Sequence, residues 1–239
     1  MDLATFLVQC LNAVQYGLLL FLVASGLTLI FGIMGVINLA HGSFYMIGAY
    51  MAYALAPWVS LHMPGGFATT LAIGLVLSVL LGYLLEWLFV SYLYHREHLQ
   101  QVLMSYGLIL VFEEMRSILA GDDVHGVAAP AWLSANVPLG ELMTYPVYRL
   151  FMSGVCLAVA AGLWYVLTRT RLGMAIRAGA SNREMIQSLG VDIRMLYRIV
   201  FAAGVALAAF AGMIAAPVSS VYPGMGSQVL ISGFVVVVI

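Results

Sequence analysis

Residues 32–45 read Gly32-Ile-Met-Gly35-Val-Ile-Asn38-Leu-Ala-His41-Gly42-Ser43-Phe-Tyr45. This stretch decides the fold because of where it lies. No charged residue occurs between Asp2 and Glu86, so the segment sits inside an apolar run far too long for a soluble domain to hide. Gly32, Gly35 and Gly42 loosen a helix there, while Asn38, His41 and Ser43 bring polar side chains to membrane depth. Irregular backbone at that depth is tolerated only where protein buries it or where it lines a cavity, and polar groups there are functional candidates. The alternative is a plain turn between two spans, with Asn38 capping the second helix. No acid or nucleophile lies nearby in sequence, so His41 has no partner for catalysis as a general base.

Working outward, the composition agrees. Hydrophobic residues make up 64% of the 239 and charged residues only 8%, against roughly 25% charged in soluble domains. The formal net charge of −1 leaves no basic excess for nucleic acid, and the hydrophobicity excludes disorder. Cys10 and Cys156 lie in apolar stretches with no metal-ligand or redox spacing, and are expected to be small core residues. Met1-Asp-Leu lacks a positive n-region, so the first apolar run is read as an anchor rather than a cleaved leader.

At about 20 apolar residues per span, the candidates are 6–31, 36–56, 67–92, 99–119, 147–167 and 199–217, with a turn over 57–66. A last apolar run begins near Val229 and is still apolar at Ile239, so the chain is expected to continue. The fold class is therefore an all-α polytopic bundle of six to seven spans. Arg169, Arg171, Arg177, Arg183, Arg194 and Arg198 crowd one loop, whereas Asp122, Asp123 and Glu141 mark the preceding one. The positive-inside rule makes the Arg-rich loop cytoplasmic and the acidic loop and N-terminus external. Small residues recur at Gly48, Ala52, Ala56; at Gly154, Ala158, Gly162; and at Gly204, Ala208, Gly212, Ala216, a spacing that lets helices approach closely in a tightly packed bundle or a subunit contact. Glu113 and Arg116 are spaced for a local ion pair. Glu86 is a weak ion-relay candidate, and His62, His95, His98 and His125 make no ligand pattern.

The Arg-rich loop has internal order. Ser181-Asn-Arg-Glu184 has the capping-box form, with Ser181 as N-cap. Met185, Ile186 and Leu189 follow on one face, and Gly190 stands where a helix-ending glycine belongs. Asp192 is placed to cap the next helix. A short amphipathic helix over about 182–189 results. It is either a docking knob for a partner or a helix lying on an anionic leaflet.

Three segments carry a resemblance. Residues 26–50, from Gly26-Leu-Thr-Leu-Ile-Phe through Asn38, His41, Gly42 and Ser43 to Tyr50, resemble a signature of permease subunits of branched-chain amino-acid ABC importers. Thr170-Arg-Leu-Gly-Met-Ala-Ile-Arg-Ala, followed by Asn182, Glu184, Gly190 and Val191, resembles that family's cytoplasmic loop, although Met185 and Ile186 replace two alanines of the general coupling motif. The small-residue helix from Gly204 to Pro217 is the third match. The resemblance implies a single permease domain over 1–239, with residues 169–198 as its coupling loop. It implies a multi-pass protein of a bacterial inner membrane that works by alternating access. The partners implied are a second permease subunit, two cytoplasmic ATPases that use ATP, and an external solute-binding protein. The chain itself would bind no cofactor or metal and hydrolyse nothing. Gly35, Asn38, His41, Gly42 and Ser43 would lie on the solute path or at its bend. Arg177, Ser181, Glu184, Met185, Ile186, Leu189 and Gly190 would meet the ATPase. A stand-alone secondary transporter or channel is the competing class.

Overall fold

The computed structural model describes residues 3–94, 96–138 and 144–238; Glu141 and His95 lie outside them. The helices are α1 (Leu3–Met34), α2 (His41–His62), α3 (Phe67–Leu88), α4 (His98–Ala120), α5 (Val147–Arg169), α6 (Arg171–Ser181), α7 (Arg183–Ser188), α8 (Ile193–Ser219) and α9 (Met225–Val238). A 3-10 turn, Val90–Leu93, follows α3, and a two-stranded hairpin, Asn136–Pro138 with Thr144–Pro146, precedes α5. The all-α reading holds. Five helices (α1, α2, α3, α5 and α8) are long and apolar enough to cross a membrane, fewer than the six to seven expected. The shortfall is α4, long enough but carrying Glu113, Glu114 and Arg116, and α9, whose 14 described residues are short of a span.

α8 is the hub, with α1, α2 and α3 packed around it. Lipid offers no hydrophobic drive for helix association, so close backbone approach has to supply the contact. A Cβ at Gly48 would overlap the Ala209 carbonyl, one at Gly212 would overlap the Tyr45 carbonyl, and one at Gly26 would stand 2.7 Å from the Gly204 carbonyl oxygen. The stripes beginning at Gly48 and Gly204 are therefore used. The third stripe makes no such contact within the chain: nothing lies within 4 Å of a Cβ at Gly154 or Gly162, and that face of α5 is exposed. Gly48→Leu should thus destabilise by about 1–3 kcal/mol or more through overpacking, while Gly154→Leu should not. Thermal melts of the two variants in detergent check this.

The bundle has two ends. At one, Tyr94 packs on Tyr197 with ring centroids 4.9 Å apart and α6 and α7 lie beneath α1 and α8. At the other, His125 and Val221 exchange backbone hydrogen bonds of 2.8 Å each, and His125 stacks on Tyr53 at 4.2 Å. α4 runs between these ends. Its Gln101 amide donates to the Leu93 and Arg96 carbonyls near its start, and His125 follows its last turn. Several boundaries shift from expectation. α2 starts at His41, not Val36, and runs through Pro57 to His62 instead of turning there. α3 ends at Leu88, and the final helix starts at Met225. Cys156 is buried as expected, but Cys10 is exposed on the outer face of α1 and is no core residue.

Candidate functional site

The first feature is the break between α1 and α2. Gly35 follows the last turn of α1 with φ +64°, a left-handed conformation that ends the helix cheaply only with glycine. Residues 35–38 form no helix, and the chain runs back beside α1. His41 Nε2 lies 3.0 Å from the Val23 carbonyl oxygen. A carbonyl only accepts, so Nε2 carries the proton. Val23 precedes Met34 by about three turns, roughly 16 Å at 1.5 Å per residue, so α2 begins well inside the bundle. The backbone is thus broken inside the bundle. Asn38 does not serve as the α2 N-cap: its Oδ1 accepts from Ala40 N at 3.0 Å, and Ala40 takes the cap position. Asn38 and His41 are buried, and Asn38 Nδ2 and His41 Nδ1, a donor and an acceptor, have no partner among the described residues. Ser43 is also buried.

A second break separates α8 from α9 and carried no expectation. Ser220 has φ +58° and Gly224 φ +78°, and α9 starts at Met225. Its first turn meets that of α2, because a Cβ on Gly42 would overlap the Gly226 carbonyl. Two helix starts therefore abut inside the bundle, and beside them lies a cavity of about 170 Å³. Gln15, Tyr45, Ser219, Tyr222 and Gln228 supply its polar groups, and Leu19, Met152 and Val229 are among its apolar ones. Gln15 is buried, and the nearest partner of its amide is the Met152 thioether at 4.0 Å, a weak acceptor at long range. These residues come from stretches of the sequence far apart from one another, so only their convergence in space marks them as one site.

The Arg-rich loop folds into two helices. α6 was not foreseen; Thr170 caps it by accepting from Gly173 N at 3.1 Å. Ser181 ends α6 instead of capping α7. The cap is Asn182, whose Oδ1 accepts from Met185 N at 3.0 Å. Gly190, at φ +84°, terminates α7 as expected: its N–H donates to the Gln187 carbonyl and Val191 N–H to that of Ile186, the paired bonds of a Schellman motif. The single apolar face is corrected. Ile186 is 4% exposed and anchors the helix, whereas Met185 at 63% and Leu189 at 73% point outward. Arg177, Ser181, Glu184 and Gly190 are also exposed. Asp192 caps α8, accepting from Arg194 N at 2.9 Å and Met195 N at 3.2 Å. Asn182→Ala should cost about 1 kcal/mol of α7 stability and Ser181→Ala almost none. Amide exchange across residues 183–189 distinguishes them, and equal effects would refute the Asn182 cap.

Arg183 joins the two regions. Its guanidinium lies over the Tyr197 ring, 5.8 Å from the centroid, and a Cβ on Gly35 would stand 2.9 Å from its Nη2. A residue of α7 thus rests on the break between α1 and α2, a contact invisible in the spacing of the sequence.

Charge inside the bundle is paired. Glu86, 0% exposed, accepts from Arg198 Nε at 3.0 Å and from the Tyr94 hydroxyl. Burial, then the Glu86 carboxylate beside it, push the Tyr94 hydroxyl well above the usual tyrosine range, so it remains a donor. Arg116 pairs with Glu113 at 3.2 Å, as the spacing suggested, and also with Asp122 at 3.0 Å. That hydrogen bond from Arg116 holds Asp122 below the usual carboxylate range. Among the described residues no cluster of His, Cys, Asp and Glu could hold a metal.

The comparisons with known proteins agree with one another. Residues 9–239 match the family model described as branched-chain amino acid transport system, permease component. The chain is 27% identical over 245 residues to the high-affinity branched-chain amino acid transport system permease protein BraD of Pseudomonas aeruginosa, covering 98% of this chain and 78% of that one. It is 27% identical over 220 residues to the corresponding permease protein LivH of Salmonella typhimurium (87% of this chain, 70% of that one). The match to LivH of Escherichia coli is also 27%, over 218 residues, with the same coverage. No solved structure matches the chain.

Proposed function

The chain belongs to the family of branched-chain amino acid transport system permease components, and from that premise we propose that it is the membrane-crossing permease subunit of an ATP-driven, binding-protein-dependent importer for branched-chain or related amino acids. The observation that carries the coupled mechanism is the contact of Arg183 with Gly35 and Tyr197. It gives a surface helix a direct hold on the broken segment of the membrane domain.

The domain is one permease unit over 1–239, with 169–198 as its coupling loop. The Arg-rich end faces the cytoplasm of a bacterial cell and the acidic end faces outward. Two ATPases dock on α6 and α7 through the exposed Arg177, Ser181, Glu184, Met185, Leu189 and Gly190, with Ile186 as the inward anchor. ATP is bound and hydrolysed by those partners. A second permease subunit completes the path, and an external binding protein delivers solute. Gly35, Asn38, His41, Gly42 and Ser43 form the bend. The solute passes beside it, where the starts of α2 and α9 meet and Gln15, Tyr45 and Tyr222 offer uncharged hydrogen-bonding groups. A cavity of about 170 Å³ is close to one that holds a benzene-sized guest, about 150 Å³, which suits a single small amino acid and not a peptide. Moving α7 shifts Arg183 against Gly35, and α2, hinged at the bend, follows.

His41→Leu should cut uptake about tenfold or more while ATPase association persists, since the ring lies deep in the bundle, away from α6 and α7. The deciding experiment is purification of the full-length protein from native membranes with its accompanying subunits, followed by uptake in vesicles. Stoichiometric co-purification of a nucleotide-binding subunit and ATP-dependent uptake are expected. A lone protein that transports solute down an ion gradient would overturn the reading.

A further inference from the structure

One polar cavity at the Arg-rich end has no part in the transport path. It holds about 350 Å³ between α3, the 3-10 turn and α8. Glu86, Tyr94, Arg194 and Arg198 form its polar wall, and Trp87 and Tyr92 stand at its mouth. Its charge does not balance. Glu86 offsets one arginine through Arg198 Nε, and among the described residues no carboxylate lies within ion-pair distance of Arg194. Arg194 and Arg198 are four residues apart on one helix, an arrangement of like charges that is unfavourable without an anion between them. The mouth is aromatic and outward-facing: Trp87 is 52% exposed and Tyr92 75%. Trp and Tyr of this kind sit at the headgroup level of a bilayer. From the mouth, exposed Leu88, Leu84 and Leu80 run up α3 at four-residue intervals, a continuous apolar strip leading into the membrane.

We propose that this cavity is a binding site for the phosphate group of an anionic phospholipid. The headgroup phosphate sits between Arg194 and Arg198, and one acyl chain lies along Leu80, Leu84 and Leu88. The single uncompensated positive charge matches the single negative charge of a phosphodiester. The apolar strip distinguishes a lipid from free phosphate, which has no use for it. An acidic segment of a soluble protein would likewise leave the strip and the aromatic mouth facing acyl chains.

The test is native mass spectrometry of the full-length protein, with the subunits that accompany it, from membranes rich in phosphatidylglycerol. Wild-type protein should retain phosphatidylglycerol through gentle detergent removal. Arg194→Gln, a change at an exposed side chain, should lower the retained fraction about fivefold, the worth of one arginine near an anionic surface. Leu84→Ser should lower it also, and added phosphatidylcholine should not compete. Equal retention by wild type and Arg194→Gln overturns the site. Displacement of the lipid by millimolar inorganic phosphate, with no effect of Leu84→Ser, assigns the cavity to free phosphate and overturns the lipid. Loss of the lipid whenever an ATPase subunit is bound assigns it to the protein interface and overturns it equally.

Discussion

Arg198→Leu should lower the apparent unfolding temperature of the protein by on the order of 10 °C, and the double variant Glu86→Gln/Arg198→Leu should recover most of the loss. The argument rests on an asymmetry. Glu86 has no access to solvent, and its carboxylate is held by Arg198 Nε at 3.0 Å and by the Tyr94 hydroxyl. Removing Arg198 leaves an uncompensated carboxylate in a low-dielectric site, and that penalty exceeds the net worth of the pair it formed. A glutamine at position 86 removes the charge but keeps an oxygen for Tyr94 to donate to, so the second change relieves what the first created. The single variant Glu86→Gln should be milder, because Arg198 is part-exposed and can turn its guanidinium to water or to the Tyr83 ring below it. Melting curves of the three variants beside wild type settle the matter. A double variant no more stable than Arg198→Leu would mean that α3 and α8 are held by packing around Gly82 and Ala202 and not by this charge pair.

That pair shows what the sequence could and could not yield. Glu86 and Arg198 are each legible as oddities, a charge at the end of an apolar run and the last charge before another. Nothing in the spacing joins residues 112 positions apart. The helices themselves were legible because apolar runs of span length have few other fates. Their starts were not. Val36 and Ile37 read as apolar span, yet the left-handed turn at Gly35 leaves them outside any helix and defers α2 to His41. Hydropathy averages over that difference. In the loop, Ser181 and Asn182 are both good caps, and α6 running one residue further decided between them. α6 itself was hidden by Gly173 and Gly179, which look like helix breakers. Gly173 is a close-approach position, where a Cβ would overlap the Val166 and Leu167 carbonyls at the sharp turn from α5, whereas a Cβ on Gly179 would make only ordinary contact with Leu196. The cavity beside α9 was hidden for a simpler reason. Gln15 stands near the start of the sequence and Tyr222 and Gln228 near its other end, and no spacing joins them.

Two substitutions in α7 and its terminus separate docking from transmission. Gly190→Pro should abolish both partner association and uptake. Proline fixes φ near −65° where the native angle is +84°, and it removes the N–H that bonds the Gln187 carbonyl at 2.9 Å. The last turn of α7 and the outward placement of Leu189 go with it. Arg183→Ala should behave differently. Asn182 still caps the helix, Ile186 still anchors it, and Met185 and Leu189 still face outward, so co-purification of the proposed ATPase should persist. What is lost is the guanidinium that lies against Gly35 and over Tyr197. Uptake should fall by at least about tenfold, which corresponds to about 1.4 kcal/mol of coupling free energy, while ATP hydrolysis by the assembled complex continues. Arg183→Lys should rescue little, since a point ammonium cannot stack flat on an aromatic ring as a guanidinium does. Measured together, co-purified ATPase and solute uptake per ATP hydrolysed give each variant a distinct signature. If Arg183→Ala transports normally, the bend is driven through the packing of α6 against α1, where Gly179 approaches Ile33, and Arg183 is a passive neighbour.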